Sequence, residues 1–228
     1  LKVDLHTHTR HSRDALLRPA DLIERARSAG LDRVAVTDHN HMDGAREAYA
    51  LDPDLIIPGE EIDCLDGPDL IGLFLHEPIP AGLPAVEVAA RIRAQGGIVY
   101  APHPFAYLRE PAQRAARVLV LADVVEVING RAFLPAWNRR ARRAAQAAGL
   151  PMAAGSDGHF PHEIGGVWTE MPPFRTAEEF RAALPQARPC ATRMSSPFVH
   201  VVSISVELSR RARRLVTRQP GLQVLPAD

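Results

Sequence analysis

Short apolar runs alternate along this chain with stretches whose apolar residues recur at helical spacing. Val3 and Leu5 alternate with polar neighbours, as in a short half-buried strand. Pro19 to Ala29 carries Leu22, Ile23 and Ala26 at helical spacing, opens on a proline suited to a first turn and stops at Gly30. Arg33 to Thr37 reads as a strand, Asp43 to Ala50 as a helix and Leu55 to Pro58 as the next strand. Asp66-Gly67 is a turn signal between Glu61-Ile62 and the run Leu70 to Leu75, which predicts an inserted hairpin. Pro84 to Gln95 is an amphipathic helix ended by Gly96-Gly97. Ile98 to Ala101, Val124 to Ile128 and Pro151 to Gly155 are further strands, the last two separated by an arginine-studded helix from Ala136 to Ala148. Beyond Ser196 the pattern changes. Phe198 to Leu208 alternates Val199, Val201, Ile204 and Val206 as a strand would, and Ser209 to Arg218 reads as a short basic helix. Strands alternating with helices predict an α/β fold, a parallel sheet with crossover helices, open or closed into a barrel.

Composition narrows this only a little. At 228 residues, 46% hydrophobic and 24% charged, the chain suits one large domain with a sizeable core. Formal charge is zero with neutral histidines, so no global basic field advertises nucleic acid. Lys2 is the single lysine among 27 basic residues. Cys64 and Cys190 form no CxxC pair and read as reduced thiols of a cytoplasmic protein. No apolar run is long enough to span a bilayer, and no signal-peptide core precedes the first strand. Leu1, in place of an initiator methionine, reads as a trimmed start.

The chemistry lies at the strand ends. The first strand delivers His6 and His8, with Asp14 a little further on; the second delivers Thr37-Asp38-His39, the third Gly59-Glu60-Glu61. The Ile98 strand leads into Pro102-His103-Pro104, the Val124 strand carries Glu126 and Asn129, and the last gives Gly155-Ser156-Asp157-Gly158-His159. In a barrel of parallel strands these ends share one face, so the imidazoles and carboxylates converge there. Mixed nitrogen and oxygen donors without thiolate suit zinc, manganese or iron acting as Lewis acids. The donors are too many for one tetrahedral ion, which implies two or three ions sharing a carboxylate. Such clusters activate water and neutralise both oxygens of an in-line phosphoryl displacement, so phosphate-ester hydrolysis is the expected chemistry.

DLHTHT, TDHN, the GEE stretch, APHP and GSDGH, in that order, resemble the polymerase and histidinol phosphatase (PHP) domain family. The resemblance covers Lys2 to His159 directly and extends to about Ser195. It implies a distorted (β/α)7 TIM-like barrel over residues 1–195 with a trinuclear centre on its C-terminal face, and a strand-helix extension over 196–228. By position, His6, His8, Glu61 and Asp157 would hold one ion; Glu61 would bridge to a second that His103 also binds; Asp14, His39 and His159 would hold the third. Glu60 is the weaker member of its pair. Many relatives have a histidine where this chain has Asp69, which is taken as a ligand in preference to His76, at the other end of the same run.

Glu61, His103 and Asp157 are the expected catalytic residues, with the general acid left open between Asp157 and a metal-bound water. Arg109 and Arg131, just beyond strand ends, are expected to grip phosphate. Asp38 is expected to orient an imidazole rather than bind an ion. The expected activity is hydrolysis of a phosphomonoester, nucleotide-like or the end of a short oligonucleotide. An amidohydrolase-type activity and a non-catalytic regulatory PHP module are the alternatives. The first usually needs a bridging lysine that Lys2 cannot supply.

Overall fold

The structure is a computed structural model in which residues 1–67, 69–106 and 111–217 are described. Among these residues the strands are β1 (Lys2–Thr7), β2 (Arg33–Val36), β3 (Ile56–Ile62), β4 (Leu70–Leu73), β5 (Ile98–Ala101), β6 (Val124–Asn129), β7 (Met152–Gly155), β8 (Val167–Glu170) and β9 (Arg188–Ala191). The helices are α1 (Pro19–Ser28), α2 (Asp43–Leu51), α3 (Ala85–Ala94), α4 (Pro111–Leu119), α5 (Pro135–Ala148), α6 (Ala177–Ala183) and α7 (Phe198–Thr217).

One sheet runs in the order β7-β6-β5-β4-β3-β2-β1-β8-β9. Chain order is kept from β1 to β7, as crossover helices of this length require. β4 is the exception in direction: it pairs antiparallel with β3 from Ile62↔Leu70 to Gly59↔Leu73, the hairpin that the Asp66-Gly67 turn predicts. The sheet curls until β7 returns to β1. The outer edge of β1 is divided between two partners. Its first residues pair with β8 (Lys2↔Glu170, Val3↔Thr169). Its last residues bond the chain leaving β7, through Asp157 N–H to the His6 carbonyl at 2.8 Å and His8 N–H to the Gly158 carbonyl at 2.9 Å. This seam nearly closes a barrel.

Period-2 patterning sorts each strand. Val3, Leu5, Ala35, Ile57, Ile71, Leu73, Ile98, Tyr100, Val124 and Ala153 fill the interior. Met171, Phe174 and Phe180 complete that cluster, with Phe174 and Phe180 edge to face at 5.0 Å between ring centroids. The opposite strand faces, such as Val34, Val36 and Ile56, meet Leu22, Ala26, Ala45 and Ala48 of α1 and α2. The sequence pattern had not marked α4, β8, β9 or α6. The last begins at a capping box in which Thr176 accepts from Glu179 N–H.

The expected C-terminal strand is absent. Residues 198–208 are the first half of α7, a continuous helix from Phe198 to Thr217. Alternation misled because the valines and isoleucine serve two faces. Val199 and Ser203, four apart, are the buried positions, while Val201, Ile204 and Leu208 are exposed. Pro197 precedes the first turn, and Ser205 and Ser209 donate their hydroxyls to the carbonyls of Val201 and Ser205, so neither serine interrupts the helix.

Gly155 ends β7 where a Cβ would collide with the His6 Cβ and come within 2.6 Å of Glu126 Oε1. Gly155→Ala is expected to cost about 1–3 kcal/mol of stability, the usual cost of overpacking, in a denaturant titration.

Candidate metal centre

β1 slips register between Asp4 and Thr7 as it delivers its two histidines. Both imidazoles are fully buried. Each is oriented by a hydrogen bond through the nitrogen turned away from the cluster. His6 Nδ1 pairs with Glu126 Oε1 at 3.1 Å, and His8 Nδ1 with Ser12 Oγ at 3.0 Å. Ser12 gives its own proton to Asp38 Oδ1 at 2.8 Å, so its oxygen receives the His8 proton. Both bonds leave the Nε2 lone pairs facing inward. Asp38 thus acts on His8 through Ser12.

The inward atoms converge. His6 Nε2 and His8 Nε2 are 3.0 Å apart, and Glu61 Oε2 is 3.2 Å from the first and 3.3 Å from the second. Asp157 Oδ1 is 3.7 and 3.3 Å from the same two nitrogens. Donors about 2.0–2.1 Å from an ion at the centre of a regular tetrahedron have edges of roughly 3.3–3.4 Å. The five measured edges scatter around that value. These four residues fit one divalent ion.

Glu61 faces two ways. Its Oε2 points to His6, His8 and, at 3.3 Å, His39 Nδ1; its Oε1 lies 3.1 Å from His103 Nε2. A carboxylate so divided fits a bridge between ions. His159 Nε2 lies 3.0 Å from Asp14 Oδ2, with His39 Nε2 at 3.9 Å from the same oxygen. His8, His39 and His159 present nitrogens close enough to share an ion, and His6, His103 and Asp157 present two nitrogens and a carboxylate oxygen that are likewise close enough. Asp69 stands at the head of β4 on this face. Burial and the charge of Glu61 push its carboxyl up to about 7. His76 follows the other end of β4, exposed, its backbone N–H on the Gln95 side chain, away from the cluster. Glu60, next to Glu61 on β3, turns to the opposite face and accepts from Ile79 N–H at 2.8 Å. Burial raises it to about 7.

Of the two arginines, only Arg131 falls among the described residues. Arg131 is buried, its guanidinium 3.2 Å from Glu163 Oε1 and bonded to Ser203 Oγ at 2.9 Å. Those partners hold the guanidinium inside the protein, in the wall of a cavity that His103 and Asp157 also line. Arg109 lies outside the described residues. Cys64 and Cys190 are free thiols with no part in the cluster.

The PHP domain model matches residues 4–54, and the PHP-associated model matches residues 135–189. An uncharacterised protein of Methanocaldococcus jannaschii is 37% identical over 177 residues, which span 75% of this chain and 70% of that one. The chain belongs to the PHP domain family.

Solved structures share the fold at lower identity. PsfC of Pseudomonas syringae aligns with a TM-score of 0.64 at 20% identity, over 92% of this chain and 98% of that one. An amidohydrolase of Chromobacterium violaceum aligns at 0.63 and 18%, over 83% and 98%. A candidate metal-dependent phosphoesterase of Bifidobacterium adolescentis aligns at 0.56 and 19%, over 70% and 88%.

In this PHP domain the most connected polar group is one to which sequence reading gave no role. Glu126 accepts from His6 Nδ1 and the Tyr100 hydroxyl on one oxygen, each at 3.1 Å. Its other oxygen accepts from His103 N–H at 2.7 Å and Asn129 Nδ2 at 2.9 Å. Asn129 also donates to Asp157 Oδ2 at 3.1 Å. The only available signal was position, since both residues face the strand-end cluster from β6. His103 and Asp157 sit at φ of 26° and 55°, where a side chain costs about 1–3 kcal/mol. The Glu126 bond and the seam bond of Asp157 N–H hold them there.

Charge follows from packing. Burial opposes ionisation of Glu61 and Asp157, but surrounding imidazoles hold both well below the usual carboxylate range. Burial likewise opposes protonation of His8 and His103; Asp157 and then Glu61 override it at His8, and Glu61 with Asp157 at His103, carrying both up to about 9. His39 goes the other way, to about 4, because burial outweighs its carboxylate neighbours.

A ligand imidazole must be neutral, so metal uptake at His8 and His103 competes with protons below about pH 9. Apparent affinity is expected to climb from pH 6 to 9, with proton release visible by calorimetry in buffers of different ionisation enthalpy. Replacing Glu126 by glutamine puts an amide donor against one of four donors, and is expected to weaken metal binding by about 10–100-fold in the same titration.

Proposed function

We propose that this PHP domain is a metal-dependent phosphoesterase that hydrolyses a phosphomonoester. What carries the reading is the divided Glu61 carboxylate, which completes a tetrahedral set with His6, His8 and Asp157 on one side and meets His103 on the other. His6, His8, Glu61 and Asp157 would hold one ion, Glu61 and His103 a second with Asp69 nearby, and Asp14, His39 and His159 a third. Manganese, iron and zinc suit these donors. Bound there, divalent ions supply an activated water and neutralise the phosphoryl oxygens.

The protein's own residues set the conditions. Neighbouring imidazoles keep Asp157 ionised, which favours it as an acceptor and ligand and leaves the leaving-group proton to come from elsewhere. Glu126 and Asn129 fix His6, His103 and Asp157 so that little reorganisation is needed during reaction. The fully buried His6, His8 and Glu61 face this basin away from bulk water. Lys2 lies at the other end of β1, with its ammonium 5.2 Å from the Trp168 ring centroid, so it cannot bridge ions in an amidohydrolase arrangement.

Manganese-loaded protein is expected to release phosphate from a panel of monoesters, a nucleotide, a bisphosphorylated nucleotide and a 5′-phosphorylated oligonucleotide, and a chelator should stop it. His103→Ala is expected to lower kcat at least 100-fold while the fold survives by circular dichroism. Absence of release from any ester by protein shown to carry its ions would refute the proposal.

A further inference from the structure

Beside the cluster, a cavity of about 620 Å³ opens between the start of α5 and the start of α7. Its floor is His103, Asn129 and Asp157, so anything in it touches the catalytic face. Its walls are of another character: Phe133, Leu134 and Trp137 on one side, Pro197 and Val201 on the other. Phe133, Leu134 and Val201 are 56%, 42% and 61% exposed, a costly way to place large apolar side chains unless something covers them. The arginine in this wall, Arg131, is paired with Glu163 and bonded to Ser203. α7 is fixed in place as the far wall. Ser203 and His200 bond the Arg131 side chain and carbonyl, and Arg210 reaches the carbonyls of Arg10 and Ser12.

From this we infer that the cavity seats the alcohol half of the substrate, and that this half is uncharged and aromatic. The inference rests on the phosphoesterase reading and adds the substrate class. A phosphomonoester would place its phosphate over the floor and its ring between Trp137 and Val201. A volume of about 620 Å³ holds a group as large as a bicyclic ring with its linker. Among the described residues, a second phosphate in the ring's place would meet mostly apolar side chains and gain less than a ring does.

The test separates ring recognition from turnover. Ethyl phosphate and 2-phenylethyl phosphate have similar leaving groups and differ by the ring. Their unreactive counterparts, propylphosphonate and 3-phenylpropylphosphonate, are titrated calorimetrically into the manganese-loaded full chain. The phenyl phosphonate is expected to bind at least about tenfold tighter, with the same ratio in kcat/KM for the two esters. Propane-1,3-diol bisphosphate should show no such gain. Trp137→Ala should bring the affinity ratio near one, and the surface variant Val201→Asn, which leaves the fold intact, should lower it at least threefold. Equal binding of the two phosphonates, no binding of either, or a ratio unmoved in both variants would overturn the inference. Tight, Trp137-dependent phosphonate binding without hydrolysis of any ester would uphold the pocket and sink the phosphoesterase reading instead.

Discussion

Glu126 is the group on which the candidate centre depends. A carboxylate buried among apolar strands is expensive unless every lone pair is used, and here both oxygens accept two bonds each. Those four donors come from β1, from β5 and the residues that follow it, and from β6 itself. The desolvation of one side chain therefore fixes the spacing of three strand ends. It also selects the His6 tautomer, which turns the lone pair of Nε2 toward Glu61 and Asp157. Remove the charge and the strands could still pair, but nothing would require their ends to agree.

A second layer of the same logic lies in the loop after β1. Asp38 takes two bonds from Thr9 and one from Ser12, and Ser12 in turn receives His8 and the His39 backbone N–H. One carboxylate thereby sets both imidazoles that approach Glu61 from this side. Neither Asp38 nor Glu126 belongs to the candidate ligand set, and each acts by removing rotational freedom from a residue that does.

Much of this was legible in the sequence, and the reason is local. The alternation of β1 and the Asp66-Gly67 turn depend on neighbours in the chain, as does the convergence of histidines at parallel strand ends. What sequence could not show depends on distant partners. Arg131 is placed just beyond a strand end by its local sequence, but its partners Glu163 and Ser203 lie 32 and 72 residues away. Val199 to Val206 alternates like a strand, but the burial of Val199 and Ser203, four apart, follows a helix. Glu126 gave no signal beyond facing the right way, because its four donors are brought together only when the barrel closes. Asp69 and His76 bracket one short strand, and its antiparallel direction decides which of them reaches the centre.

The seam between β1 and the end of β7 carries a further consequence. The backbone bonds that shut the barrel are made by His6, His8, Asp157 and Gly158, three of which also offer side chains to the centre. The same few residues thus close the barrel and line the candidate centre. Ions held by these side chains would clamp the sheet, and an empty centre would leave the seam to its few backbone bonds. The molecule would report its metal status mechanically, as slower or faster opening of that edge.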